Sequence, residues 1–188
     1  MSSILKFLRD LFCCRRCCTK DPSDALFAAG VEEWKKYEET RDSHDLAEAV
    51  RNHQAALDIR VPDHPRRPES LLHTAMALWA QCQGAVTKEC AVTVITYYDE
   101  ALRLLLDKPD KLGHRATVYT NLGAVYFTLF LLGKEDPEAL PATGSNIDKA
   151  IENHRSALQL RPAKDDPNRP ISLINLSIAL IQKTAKMI

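Results

Sequence analysis

Glycine is scarce in this 188-residue chain, at six residues. Together with the lack of sustained β-branched alternation, that scarcity argues against strands and for an all-α chain. Net charge is lacking too: 25 basic and 25 acidic residues cancel. No global field therefore favours a polyanion, and nucleic acid is not an expected partner. The loops and spacings of common catalysts are missing as well. There is no G-x-x-x-x-G-K-[ST], no G-x-G-x-x-G, no G-x-S-x-G and no H-E-x-x-H. The six histidines, His44, His53, His64, His73, His114 and His154, are scattered over repeat-equivalent helix positions and loops. Cys82 and Cys90 read as small buried hydrophobes, and the pairs Glu32-Glu33 and Glu38-Glu39 beside Lys35-Lys36 as a solvated helix face. No catalytic residue, metal site or cofactor is expected.

What the chain has is an internal repeat. Leu46–Pro62, LAEAVRNHQAALDIRVP, matches Ile147–Pro162, IDKAIENHRSALQLRP, nearly position for position. Leu46 aligns with Ile147, Ala49 with Ala150, Asn52 with Asn153, His53 with His154, Ala56-Leu57 with Ala157-Leu158, and Arg60 with Arg161. A more diverged copy places Val94, Tyr98, Ala101 and Leu102 at the same offsets. Ala56, Ala101 and Ala157 mark equivalent turns, giving repeat lengths of 45 and 56 residues. Such periods belong to stacked helical units. With 45% hydrophobic and 27% charged residues, the chain can bury a core comparable to one ordinary domain.

In chain order, Asp21–Asp24 reads as a hinge, with Ser23 or Asp24 capping a helix over 25–40. A polar break, Arg41–His44, separates it from a second helix over 45–60, which Pro62 and Pro65 stop, completing a first hairpin. Helices over 68–83 and 90–106 make a second hairpin, and helices over 112–132 and 147–161 a third, across a long connection at 133–145. A last helix over 170–186 opens a fourth hairpin whose second helix is absent. The expected organisation is a segment 1–20, a linker 21–24 and a helical repeat domain 25–188.

The second helices carry Ala150, His154, Ala157-Leu158 and Pro162, with Val94, Tyr98 and Ala101-Leu102 as the aromatic version. One first helix carries Leu122-Gly123 followed by Tyr126. In these residues the chain resembles the tetratricopeptide-repeat family, most closely its long-repeat members such as kinesin light chains and fungal tandem arrays. The resemblance covers roughly Asp24 to the C-terminus, with His standing twice for the family's aromatic. It implies a right-handed superhelical stack, an α-solenoid of about three antiparallel hairpins plus a C-terminal helix. It further implies a concave groove lined by first helices that receives a peptide or helix of a protein partner. By the same resemblance Asn121, with His73 and Asn175 at the matching places, is a groove residue that bonds a bound backbone. The alternative for all three is capping or bridging of neighbouring helices.

The first twenty residues, MSSILKFLRDLFCCRRCCTK, are a different kind of sequence. Ile4, Leu5, Phe7, Leu8, Leu11 and Phe12 form one apolar stripe on a short amphipathic helix that Ser2 or Ser3 caps. Five cations, Lys6, Arg9, Arg15, Arg16 and Lys20, stand against one acid, Asp10. The run is far short of the roughly 20 apolar residues that span a bilayer, and it lacks the small-residue cleavage site of a secretory signal. It suits a helix lying in the membrane interface, with Leu5, Phe7, Leu8, Leu11 and Phe12 in the acyl region and Lys6, Arg9, Arg15 and Arg16 toward anionic headgroups. Cys13, Cys14, Cys17 and Cys18 follow directly, where S-acylation would hold the chain. Each acyl chain adds about 0.8 kcal/mol per buried CH₂. A metal knot, a disulfide pair and an unmodified tail are the alternatives.

Two functions emerge. The first is a lipid-tethered, non-catalytic scaffold, cytoplasmic and peripheral on the cytosolic face of a membrane, that recruits a protein partner. The second is a soluble assembly subunit that docks through its N-terminal helix and self-associates through its C-terminal helix, where Ile174, Ile178, Ile181, Met187 and Ile188 make a sticky end.

Overall fold

The computed structural model describes residues 21–135, 143–164 and 166–185. Among the described residues there are seven α-helices, one 3-10 turn and no strand. The chain divides between Asp63 and His64 into two compact units.

The first unit is a helical hairpin, α1 (Pro22–Thr40) and α2 (Ser43–Ile59). α1 starts earlier than the hinge reading expects. Pro22 takes the first helical position, where its missing N–H costs nothing, and the cap is Asp21, whose side chain accepts from the Ser23 N–H at 2.9 Å. Arg41 ends α1 in the left-handed conformation, φ 60°, and its N–H reaches the Tyr37 carbonyl at 2.8 Å. Asp42 then caps α2. A left-handed residue followed at once by a new cap turns the chain back within two residues. Leu46, Ala49, His53, Ala56 and Leu57 are the buried side of α2. α1 meets it through Ser23 and Gly30, while Leu26, Phe27, Val31, Trp34 and Tyr37 stay half-exposed.

The second unit contains α3 (Arg67–Cys82), α4 (Lys88–Leu105), a 3-10 turn at Pro109–Lys111, α5 (Leu112–Glu135), α6 (Thr143–Gln159) and α7 (Arg169–Ala185). α3 packs on α4, α5 on α6 and α6 on α7, and α5 also meets α3, α4 and α7. The central place of α5 explains its composition. The stretch Pro109–Gly133 is long and apolar enough to cross a membrane, with mean hydropathy 1.3, and 44% of its most apolar window is buried. A helix with neighbours on several sides has no single face to keep polar. Leu71, Leu72, Ala75 and Trp79 of α3 are buried with Val94, Tyr98 and Ala101 of α4, and Phe130, Ile147, Ile151 and Ala179 join α5, α6 and α7 in one cluster. α5 and α6 run further into the long connection than periodicity indicated, leaving 136–142 between them, outside the described residues.

Cys82 and Cys90 depart from the sequence reading. They are half-buried, and a disulfide joins them across the turn between α3 and α4, Cα to Cα 6.6 Å. Thr87 caps α4 by accepting from the Cys90 N–H at 3.2 Å, which sets the second cysteine over the end of α3. The exposed Ile174, Ile178 and Ile181 of α7 match the expected sticky end. Met187 and Ile188 lie outside the described residues.

Candidate functional site

Each repeat-matched hairpin is closed by the same two devices. The first is a glycine facing a histidine. A Cβ built on Gly30 would lie 2.7 Å from the His53 ring, and one on Gly123 would lie 2.5 Å from the His154 ring. Neither distance is tolerable for a real side chain, so the glycines let an imidazole pack directly on the facing helix backbone. His154 is buried and its Nδ1 has no hydrogen-bond partner among the described residues. Burial pushes its pKa down from the ordinary histidine value to about 4. His53 packs against the Phe27 ring at 5.3 Å between centroids. In the hairpin between them the same places hold Ala75 and Tyr98, both buried.

The second device is an arginine one residue past the end of α2 and two past that of α6. Arg60 is fully buried. Its Nε donates to Ser23 Oγ at 3.0 Å, its Nη2 to Asp24 Oδ1 at 2.9 Å, and its guanidinium lies 4.7 Å from the centre of the Phe27 ring. Arg161 donates from Nη1 to Thr120 Oγ1 at 2.8 Å and to Ser172 Oγ at 2.6 Å. It thereby ties α5 to α7. Burial lowers the pKa of Arg161, and Asp166, 4.0 Å from Nε, opposes that shift. The alignment paired these arginines without giving them a role. The signal was an Arg recurring just before the proline break. Leu105 replaces it in the middle hairpin, where Arg67 and Glu100 pair at 2.6 Å instead.

The expected groove residues sit on first helices, half-buried: His73 on α3, Asn121 on α5 and Asn175 on α7. Asn121 forms a side-chain hydrogen bond with Tyr98 of α4, whose phenol burial pushes well above its usual range. Asn121 of α5 thus faces a side chain of α4. Three groups from three helices interact between α4, α5 and α6. Burial raises the pKa of Asp99 on α4 and Lys149 on α6 opposes the shift, while burial and Asp99 together raise that of Tyr126 on α5. Lys149 Nζ stands 5.2 Å from the centre of the Tyr126 ring, a cation over an aromatic face.

The chain matches no protein-family model and no curated protein. Among the described residues no group of three His, Cys, Asp or Glu side chains is placed to hold a metal ion. The acylation candidates Cys13, Cys14, Cys17 and Cys18 lie outside the described residues. So do the membrane-contact residues Leu5, Lys6, Phe7, Leu8, Arg9, Leu11, Phe12, Arg15 and Arg16.

Proposed function

We propose that this chain is a non-catalytic scaffold whose hairpins stack as a right-handed tetratricopeptide-like solenoid, tethered to a cytosolic membrane face by S-acylation of Cys13, Cys14, Cys17 and Cys18. The observation that carries the reading is the duplicated closure of the hairpins. Gly30 with His53 and Gly123 with His154 pack alike, and Arg60 and Arg161 fold back on the first helix of their own hairpin. A unit built twice to one plan is what stacking requires. A partner would bind the first-helix face near His73, Asn121 and Asn175, and at Asn121 it would compete with Tyr98 for the amide. The basic, four-cysteine N-terminal stretch supports the tether, because one acyl chain holds marginally whereas two or more hold stably.

The test is fractionation of the intact chain beside a variant with all four cysteines changed to serine, with thioester-sensitive acyl exchange on both. Acylation and membrane pelleting of the intact chain, with both lost in the variant, is the expected result. A soluble, unacylated intact chain would sink the tether. The soluble assembly subunit is the second reading, favoured by the exposed Ile171, Ile174, Ile178 and Ile181 on α7.

A further inference from the structure

Between α4, α5 and α6 lies a cleft of about 140 Å³ whose lining includes none of His73, Asn121 and Asn175. Ala91, Val92 and Ile95 of α4 and Leu129 of α5 make its walls almost wholly apolar, with the Tyr126 ring beside them. Its volume is close to that of an engineered apolar cavity, about 150 Å³, that takes up benzene. One apolar side chain of the size of Leu, Ile or Phe is what such a volume holds. Val92, on the wall, is 54% exposed, so the cleft opens to solvent at an unprotected apolar residue.

Two polar features break the apolar lining. Asn146, at the start of α6, lines the cleft and is 3% exposed, and its Nδ2 has no hydrogen-bond partner among the described residues. A buried donor left unmade is costly, about 1–3 kcal/mol. The matching residue of the first hairpin, Asp45, is instead engaged by the Thr40 hydroxyl at 3.1 Å. The other feature is charge. Lys88 and Lys149 line the cleft and are exposed. Asp99 offsets Lys149 in part, whereas Lys88 forms no ion pair with a described residue.

We propose that this cleft docks an acidic peptide of a protein partner. A Leu, Ile or Phe of that peptide enters between α4 and α5, a backbone or side-chain carbonyl accepts from Asn146 Nδ2, and a neighbouring Asp or Glu faces Lys88 and Lys149. The three requirements are met together by one short segment: an apolar side chain of limited size, an acceptor at its base and negative charge at the mouth. The proposal rests on the scaffold reading and adds a second docking site, between α4, α5 and α6.

Panning random twelve-residue peptides displayed on phage against the immobilised full chain tests it. Enriched peptides should carry Leu, Ile or Phe beside Asp or Glu, and a synthetic copy should bind the full chain in fluorescence anisotropy. Changing its apolar residue to Ala, or changing the protein by Lys88→Glu with Lys149→Glu, should weaken binding at least about tenfold. Asn146→Leu separates docking from folding. It should weaken the peptide by a similar factor while raising the melting temperature by roughly 2–4 °C, because a buried unpaired donor is gone. If the enriched peptides bind these variants undiminished but are lost on His73→Ala, Asn121→Ala or Asn175→Ala, the cleft is not the site and the scaffold reading stands. If no peptide is enriched, the cleft proposal fails, while the scaffold reading is decided by the fractionation experiment.

Discussion

Gly123 and His154 act as one residue pair, and the pair sets two measurable properties. Gly123→Ala gains about 1 kcal/mol of helix propensity, but its Cβ would fall 2.5 Å from the His154 ring. Overpacking of that kind costs about 1–3 kcal/mol, so the variant should be less stable in urea than the parent, and Gly30→Ala likewise against His53. The buried imidazole also makes stability depend on pH. With a folded pKa of about 4 and an unfolded value near 6.5, only the unfolded chain takes up the proton between those limits. Stability is then full above about pH 6.5 and falls as pH drops to about 4, by up to about 3 kcal/mol. His154→Phe should remove that acid limb, which urea melts from pH 4 to 8 would follow. A limb unchanged in this variant would mean another group carries it. The pattern showed that His53 and His154 stand where the diverged internal copy carries Tyr98. It did not show that Gly30 is the counterpart of Gly123, because Gly30 lacks the preceding leucine that marks Leu122-Gly123. The contact, moreover, forms between helices separated by turns of different length.

Between elements, hairpins are fastened in different ways, and the fastenings respond differently to substitution. Arg161 sits among hydroxyls that already donate to their own helices, Thr120 to the Ala116 carbonyl and Ser172 to that of Asn168. Those oxygens therefore keep a partner if the guanidinium is lost. Arg161→Met removes a buried charge and should cost within about 1 kcal/mol. Arg161→Lys keeps the charge with fewer donors and heavier hydration, and should cost more, about 2–3 kcal/mol. Chemical denaturation of both variants decides the order, and a less stable Met variant would show that the hydroxyl acceptors depend on the arginine. The α3–α4 turn is fastened by Cys82 and Cys90. By the chain-entropy model a loop this short is worth about 2.5 kcal/mol. Reductant should lower the urea midpoint accordingly when the four tail cysteines are serine. In a reducing cytosol the pair would be thiols, and α3 and α4 would rely on their apolar packing and the Arg67–Glu100 pair. Helix existence was legible because period and proline breaks agree. Helix starts were less so, because caps compete: Asp21 outranks Ser23 and Asp24 only once Pro22 is placed at the first turn. The disulfide was hidden because two cysteines eight residues apart read equally as apolar filling until the turn between them is known.

For the molecule as a whole the question is what α7 meets. Lys183 pairs with Asp148 at 2.6 Å, and Ala179 on one side of the helix is buried with Phe130, Ile147 and Ile151. α7 is thus held to α6, and its other side shows Ile171, Leu173, Ile174, Ile178 and Ile181 to solvent. Ile171, Ile174, Ile178 and Ile181 recur at helical spacing and so form a stripe, in contrast to scattered surface leucines, which need no explanation. A stripe of this kind draws apolar surface of another chain at about 25 cal/mol for each Å² removed from water. If self-association is its use, sedimentation of a four-serine variant should give a mass that rises with concentration. Ile174→Glu with Ile178→Glu and Ile181→Glu should hold it at the monomer with unchanged helical circular dichroism. The same triple change in the cysteine-containing chain should leave membrane pelleting intact, since the proposed acylation cysteines, Cys13, Cys14, Cys17 and Cys18, are unchanged. A monomer at every concentration before substitution would remove the assembly reading. A triple variant that no longer pellets would instead show that tether and stripe act together, because a dimer presents two basic, acylated segments to one membrane and gains by effective concentration.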